Sequence, residues 1–203
     1  MYYRYKLPHI QIAEATYFIT YRLANSVPMS KINELREEKL FEKTSILQSE
    51  DSETIKSEKL AELDWLYFQK GDVYADTSLN EPYWLKNEIV AQCIMDSWFY
   101  LSQKDIHLNA LCVMPNHVHV VLSLQNNNEV LHKIMQRHKS FTANCCIKTL
   151  QLNSQIWERE SYDHIIRHGK FNTIVNYVIN NPVKAGFVKD WKEWKFTYLQ
   201  DGL

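Results

Sequence analysis

From Ala15 to Leu23 the chain reads Ala-Thr-Tyr-Phe-Ile-Thr-Tyr-Arg-Leu, β-branched and aromatic with partial alternation, which predicts a strand. Pro28 and Ser30 open a polar stretch in which Ile32, Leu35, Leu40 and Phe41 recur at helical spacing, with Ser30 as the expected cap. A charged, Ser-rich break spans Gln48 to Ser57, and helical spacing resumes from Ile55 to Tyr67. Residues 30–69 are therefore expected to form a helical insertion, a hairpin that packs on the domain or on a partner. Gly71 to Asn80 reads as a loop. Trp84 to Gln103 predicts a helix with Ile89, Val90, Cys93, Ile94, Trp98 and Leu101 on one face.

His107 to Met114 and His117 to Leu124 predict two strands, paired antiparallel through a tight connection at Met114-Pro-Asn116. A polar loop is expected at Gln125 to Asn128 and a second long helix at Glu129 to Leu150. Short extended pieces follow at Ile156-Trp157 and at His164 to Arg167. A third helix from Phe171 to Asn180 is ended by Pro182, with a turn at Gly186. The order strand, helix, strand, strand, helix, strand is the α+β ferredoxin-like pattern. It predicts an antiparallel sheet with helices on one face, the His117 strand inside it, and an appended C-terminal helix bearing Tyr177. With 203 residues, 45% of them hydrophobic, the chain is expected to form one domain over 1–203 interrupted by the 30–69 insertion.

Charge is unevenly spread although its sum is only −1. Glu34 to Asp64 holds 10 acidic and 5 basic residues, whereas Leu131 to Lys195 holds 11 basic and 5 acidic with four histidines. The second half suits a phosphate-bearing partner; a merely uneven solvated surface is the plainer alternative. No apolar run is long enough to span a bilayer, and no signal peptide is expected. Cys93, Cys112, Cys145 and Cys146 form no Cys-x-x-Cys pair, which fits a reducing, cytoplasmic setting.

Two places carry candidate chemistry. His117 and His119 flank Val118 in an apolar strand, so their side chains share a face. A divalent metal is the simplest user of two such imidazoles, against an inert surface pair. In Tyr177-Val-Ile-Asn-Asn181-Pro-Val-Lys184, Tyr177 and Asn181 stand four apart and would share a helix face. A tyrosine hydroxyl can act as a nucleophile and an amide oxygen as a hard metal ligand; equally, the tyrosine could pack and the asparagine cap the helix.

Taken together these segments resemble the single-tyrosine HUH transposases of the IS200-like class, most closely the REP-associated tyrosine transposases. The resemblance is carried by Val113-Met-Pro-Asn-His-Val-His-Val-Val-Leu122, His138-Lys-Ser-Phe-Thr-Ala143, Trp157 with Arg159 and Glu160, Tyr162-Asp-His-Ile-Ile-Arg167, and Tyr177 to Gly186. It is strong over Asn87 to Val188 and weaker over Tyr5 to Arg22. It implies metal-dependent cleavage of single-stranded DNA through a 5′-phosphotyrosine intermediate, with Tyr177 as nucleophile. It further implies His117, His119 and Asn181 as ligands of Mg²⁺ or Mn²⁺, Asn181 standing where many relatives carry Gln. Single-stranded or hairpin DNA would lie on Lys133, Arg137, Lys139, Arg159, Arg167, Lys184 and Tyr17. Where the family often has Gly before its Tyr-Phe pair, this chain has Glu14-Ala15-Thr16.

Competing readings are a hairpin-binding protein without turnover, a replication or relaxase-type nickase of the wider HUH group, and a plain metal nuclease. The family's dimeric members make a homodimer possible.

Overall fold

A computed structural model describes residues 15–77, 82–125, 130–167 and 169–203, and the backbone alone of 2–4 and 8–10. The chain forms two compact units, one of Met1–Ala24 with Pro82–Leu203 and the other of Asn25–Glu81. In chain order the elements are β1 (Tyr2–Arg4), β2 (Pro8–Ile10), β3 (Thr16–Arg22), α1 (Met29–Gln48), α2 (Glu53–Thr77), α3 (Glu88–Ser102), β4 (Ile106–Val113), β5 (His117–Leu124), α4 (Leu131–Leu150), β6 (Tyr162–Ile165), α5 (Phe171–Ile179), α6 (Asn181–Lys184) and β7 (Thr197–Leu199). No described helix is long and apolar enough to cross a membrane.

The first unit holds a five-stranded antiparallel sheet ordered β6-β3-β5-β4-β7. Without β7 this is the ferredoxin-like order, with β5 between β3 and β4, so the expected fold class and inner position of the histidine strand are found. β4 and β5 pair through the tight connection, where Met114 N–H donates to the His117 carbonyl at 2.9 Å. Alternation along β3 and β5 divides the sheet into two faces. Tyr17, Ile19 and Tyr21 join Val118, Val120 and Leu122 in one core with Ile94 and Trp98 of α3 and Ile134 of α4. Phe18, Thr20, His117 and His119 have the opposite parity and point to the other face. α5 packs against β4 and β5 there, bringing Tyr177 to Phe18 and His119.

Several boundaries differ from expectation. The helix expected from Trp84 begins at Glu88, because the Asn87 amide oxygen accepts from Ile89 N–H at 3.0 Å and Val90 N–H at 3.3 Å and so starts the helix there. Trp84–Lys86 is a separate 3-10 turn. The second long helix starts at Leu131, after an extended Val130. The loop expected at Gly71–Asn80 is instead helical to Thr77: one glycine costs a helix only about 1 kcal/mol, which its neighbours outweigh. Residues 78–81, 126–128 of the second expected loop, and the expected helix start at Glu129 lie outside the described residues. Pro182 does not simply stop α5; it sits in the first turn of α6, where its missing N–H costs nothing.

The second unit is a helical hairpin. α1 and α2 run antiparallel, with the Tyr67 hydroxyl donating to Glu42 at 2.7 Å and ion pairs from Lys39 to Asp64 and Lys70 to Glu38. Ser30 lies inside α1 rather than capping it, since Pro28 occupies the cap position.

Candidate active site

The site is built on β5 from below and α5 from above. His117 and His119 are fully buried, in register with Arg22 and Thr20 of β3. Their Nε2 atoms lie 3.0 Å apart. Each ring is held at its other nitrogen: His117 Nδ1 is 2.7 Å from Asn116 Oδ1, and His119 Nδ1 is 2.7 Å from Thr20 Oγ1. An amide oxygen only accepts, so His117 donates from Nδ1 and carries a lone pair on Nε2. The Thr20 hydroxyl can accept from His119 Nδ1 in the same way. Two nitrogen lone pairs this close need a proton or a cation between them, and oxygen partners on the far nitrogens are the usual support of metal-binding imidazoles. The donor set therefore fits a divalent metal.

Phe18 stacks on His119 with ring centroids 5.8 Å apart, forming one wall. Tyr177, half-buried, stands edge-on to both, 5.8 Å from the His119 ring and 6.1 Å from Phe18. Lys184 Nζ lies 3.5 Å from the Tyr177 hydroxyl and 5.0 Å from the centre of its ring. On β6, Tyr162 and His164 stand opposite Thr20 and Phe18, and so on the same face. Asn181 is fully buried at the start of α6. It does not share one continuous helix with Tyr177, because α5 ends at Ile179.

The residues expected to meet DNA are scattered. Lys133, Arg137, Arg159, Arg167 and Lys184 are exposed, Arg137 pairing with Asp105 at 2.7 Å. Lys139 is half-buried, with Nζ donating to the Glu158 carbonyl at 3.0 Å, and burial pushes its pKa down to about 8. Tyr17 is wholly enclosed in the core beneath α3 and α4, which takes it out of reach of a nucleic acid at the surface.

Sequence reasoning missed Thr20 and Asn116, which orient the two imidazoles. The visible signal for Thr20 is a small hydroxyl two positions from Phe18 and so on the same face of the strand. It also missed a second buried polar cluster on the opposite face. There His138 of α4 sits 2.5 Å from the Tyr21 hydroxyl and 2.8 Å from Ser97 Oγ, stacked on Trp98. Burial raises the Tyr21 pKa and lowers that of His138 to about 3, so both are neutral structural members of the core.

Residues 84–181 match the family model described as Transposase IS200 like. Over 96 residues the chain is 30% identical to the REP-associated tyrosine transposase of Escherichia coli, covering 46% of this chain and 54% of that protein. A Haemophilus influenzae protein that carries the same name provisionally is 30% identical over 98 residues, covering 43% of this chain and 56% of its own length. The chain thus spans about half the length of the relatives it matches. A solved structure of a REP-associated tyrosine transposase bound to a REP hairpin superposes with a TM-score of 0.52 at 18% identity, over 96% of this chain and 82% of that one. That likeness is one of fold.

Proposed function

We propose that this protein, whose residues 84–181 match the family model described as Transposase IS200 like, cuts and rejoins single-stranded DNA with Tyr177 as nucleophile. The observation that carries the reading is the approach of Tyr177 to the buried His117–His119 pair across the β5–α5 interface. The Tyr177 hydroxyl oxygen bonds to the scissile phosphorus and the bond to the preceding 3′ oxygen breaks. The phenolic proton is released, and the departing oxygen takes up a proton to become a 3′-hydroxyl. The product is a 5′-phosphotyrosine, which retains the phosphodiester bond, so a 3′-hydroxyl can later reverse the step without ATP.

His117 and His119 would hold Mg²⁺ or Mn²⁺, with Asn181 as a third, amide-oxygen ligand. A cation there supplies charge stabilisation to the phosphate. Asn116 and Thr20 keep the imidazoles aimed, and the Phe18 ring keeps water from one side of His119. Exposed Lys133, Arg137, Arg159 and Arg167 supply the basic surface for a single-stranded or hairpin DNA, the kind of ligand borne by the solved REP-associated structure. The whole chain, 1–203, is read as one transposase-like domain into which the 30–69 helices are inserted. One chain supplies every residue of this set, so the chemistry does not call for a homodimer.

The test uses the purified protein with 5′- and 3′-labelled hairpin-bearing single strands and Mn²⁺ on a denaturing gel. A protease-sensitive DNA adduct that disappears with chelator or with His119→Ala is expected. Cleavage that survives in Tyr177→Phe without an adduct would instead favour a plain metal nuclease.

A further inference from the structure

The Tyr177 ring is fixed on two sides by rigid partners. Phe18 and His119 are fully buried, stack on each other, and meet the tyrosine ring edge-on at interplanar angles of 84° and 76°. That wall sets the plane of the ring. It does not set the lone pairs of the hydroxyl oxygen, and a nucleophile loses rate when that oxygen wanders.

The Lys184 ammonium stands at the hydroxyl, 3.5 Å from its oxygen, while lying 5.0 Å from the ring centre. Lysine has a flexible stem, so it restrains a neighbour only if its own backbone is fixed. Here the backbone is fixed from both sides. Lys184 N–H donates to the Asn180 carbonyl at 2.9 Å, and Phe187 N–H closes on the Pro182 carbonyl at 2.9 Å. Pro182 presets the first turn of α6. Gly186 ends it at a φ of +76°, in the left-handed region where a side chain would be strained. An ammonium only donates, so Lys184 in this place is not the base that removes the tyrosine proton. It can hold the oxygen by one of its lone pairs, and its charge suits the phosphate that arrives at that oxygen.

We propose that Lys184 is a positioning residue for the nucleophile, aiming the Tyr177 hydroxyl at the scissile phosphate, rather than one more contact in the basic DNA-binding surface. This inference rests on the reading of Tyr177 as the attacking group.

The test compares wild type with Lys184→Met, which keeps the stem and removes the charge, and with Lys184→Arg. Single-turnover adduct formation is measured on an end-labelled hairpin single strand with Mn²⁺ at saturating DNA. Affinity for the same strand is measured by fluorescence anisotropy across a salt series. Lys184 is exposed, so a melting curve for each variant is expected to match wild type. The expected result is a saturating rate about tenfold or more lower in Lys184→Met, with affinity changed by less than about threefold and rate partly restored by Lys184→Arg. The inference is overturned if Lys184→Met keeps the saturating rate and instead binds more weakly with a salt slope smaller by about one, the signature of a lost phosphate contact. If wild type itself forms no adduct, the nucleophile reading fails and this inference falls with it. That outcome is distinct from a loss confined to Lys184→Met.

Discussion

His138 gives the fold a measurable pH dependence. Its ring is wholly buried between Trp98, Tyr21 and Ser97, and burial, aided by the neighbouring Lys139 charge, lowers its pKa from 6.5 to about 3. In the unfolded chain it titrates normally. Below the unfolded value the unfolded state takes up a proton that the native state refuses, so stability falls as pH falls through the window from 6.5 down to about 3. Above that window the contribution is fully present. Going from about pH 7.5 to about pH 5, this one residue should cost about 2 kcal/mol. The perturbation is His138→Gln, which keeps polar atoms but cannot titrate. At neutral pH the variant should lose about 1–3 kcal/mol from disturbed bonds to Tyr21 and Ser97. Its acid-side decline should then be shallower than that of wild type by about 2 kcal/mol over the same range. Urea unfolding followed by tryptophan fluorescence at several pH values gives both slopes. The other histidines are common to the two proteins and cancel in the difference. Equal slopes would refute the placement of a neutral, buried His138.

Further outcomes follow from the site itself. Thr20→Val keeps the shape of the side chain but removes the oxygen that holds His119 Nδ1, and should weaken Mn²⁺ binding by about 10–100-fold in a direct titration while the protein stays folded. Gly186→Ala forces a Cβ onto a left-handed φ of +76° and should cost about 1 kcal/mol or more in the same unfolding assay, although no neighbour lies within 4 Å of the added atom. Wild-type stability after that change would place the strain elsewhere.

Much of this was readable in the chain because it depends on short periods. The spacing of His117 and His119 fixes a shared face on any strand, and the apolar run around them fixes burial. Tyr177 falls on a helix whose apolar positions, Ile174, Val175 and Val178, are all buried against the sheet. What was not readable depends on partners far apart in sequence. Thr20 becomes an imidazole support only because β3 pairs with β5 in a register that sets it opposite His119. The resemblance put Tyr17 against DNA, yet its parity along β3 sends it into the core, and Phe18 is the aromatic on the site face. Lys139 looked like a phosphate contact, yet its neighbour His138 anchors that part of α4 inside, and the ammonium is spent on the Glu158 carbonyl. Asn87 was inside an apparently continuous helix pattern, and only its two accepted N–H bonds reveal it as the start.

The central claim is tested most directly by locating the covalent bond. The adduct formed between the protein and a labelled hairpin single strand in Mn²⁺ is trapped by denaturation, digested with nuclease and trypsin, and mapped by mass spectrometry. The account predicts a residual nucleotide on the peptide containing Tyr177, and none on Tyr162 or Tyr21. A nucleotide on another residue, or cleavage of the strand with no modified peptide at all, would contradict it.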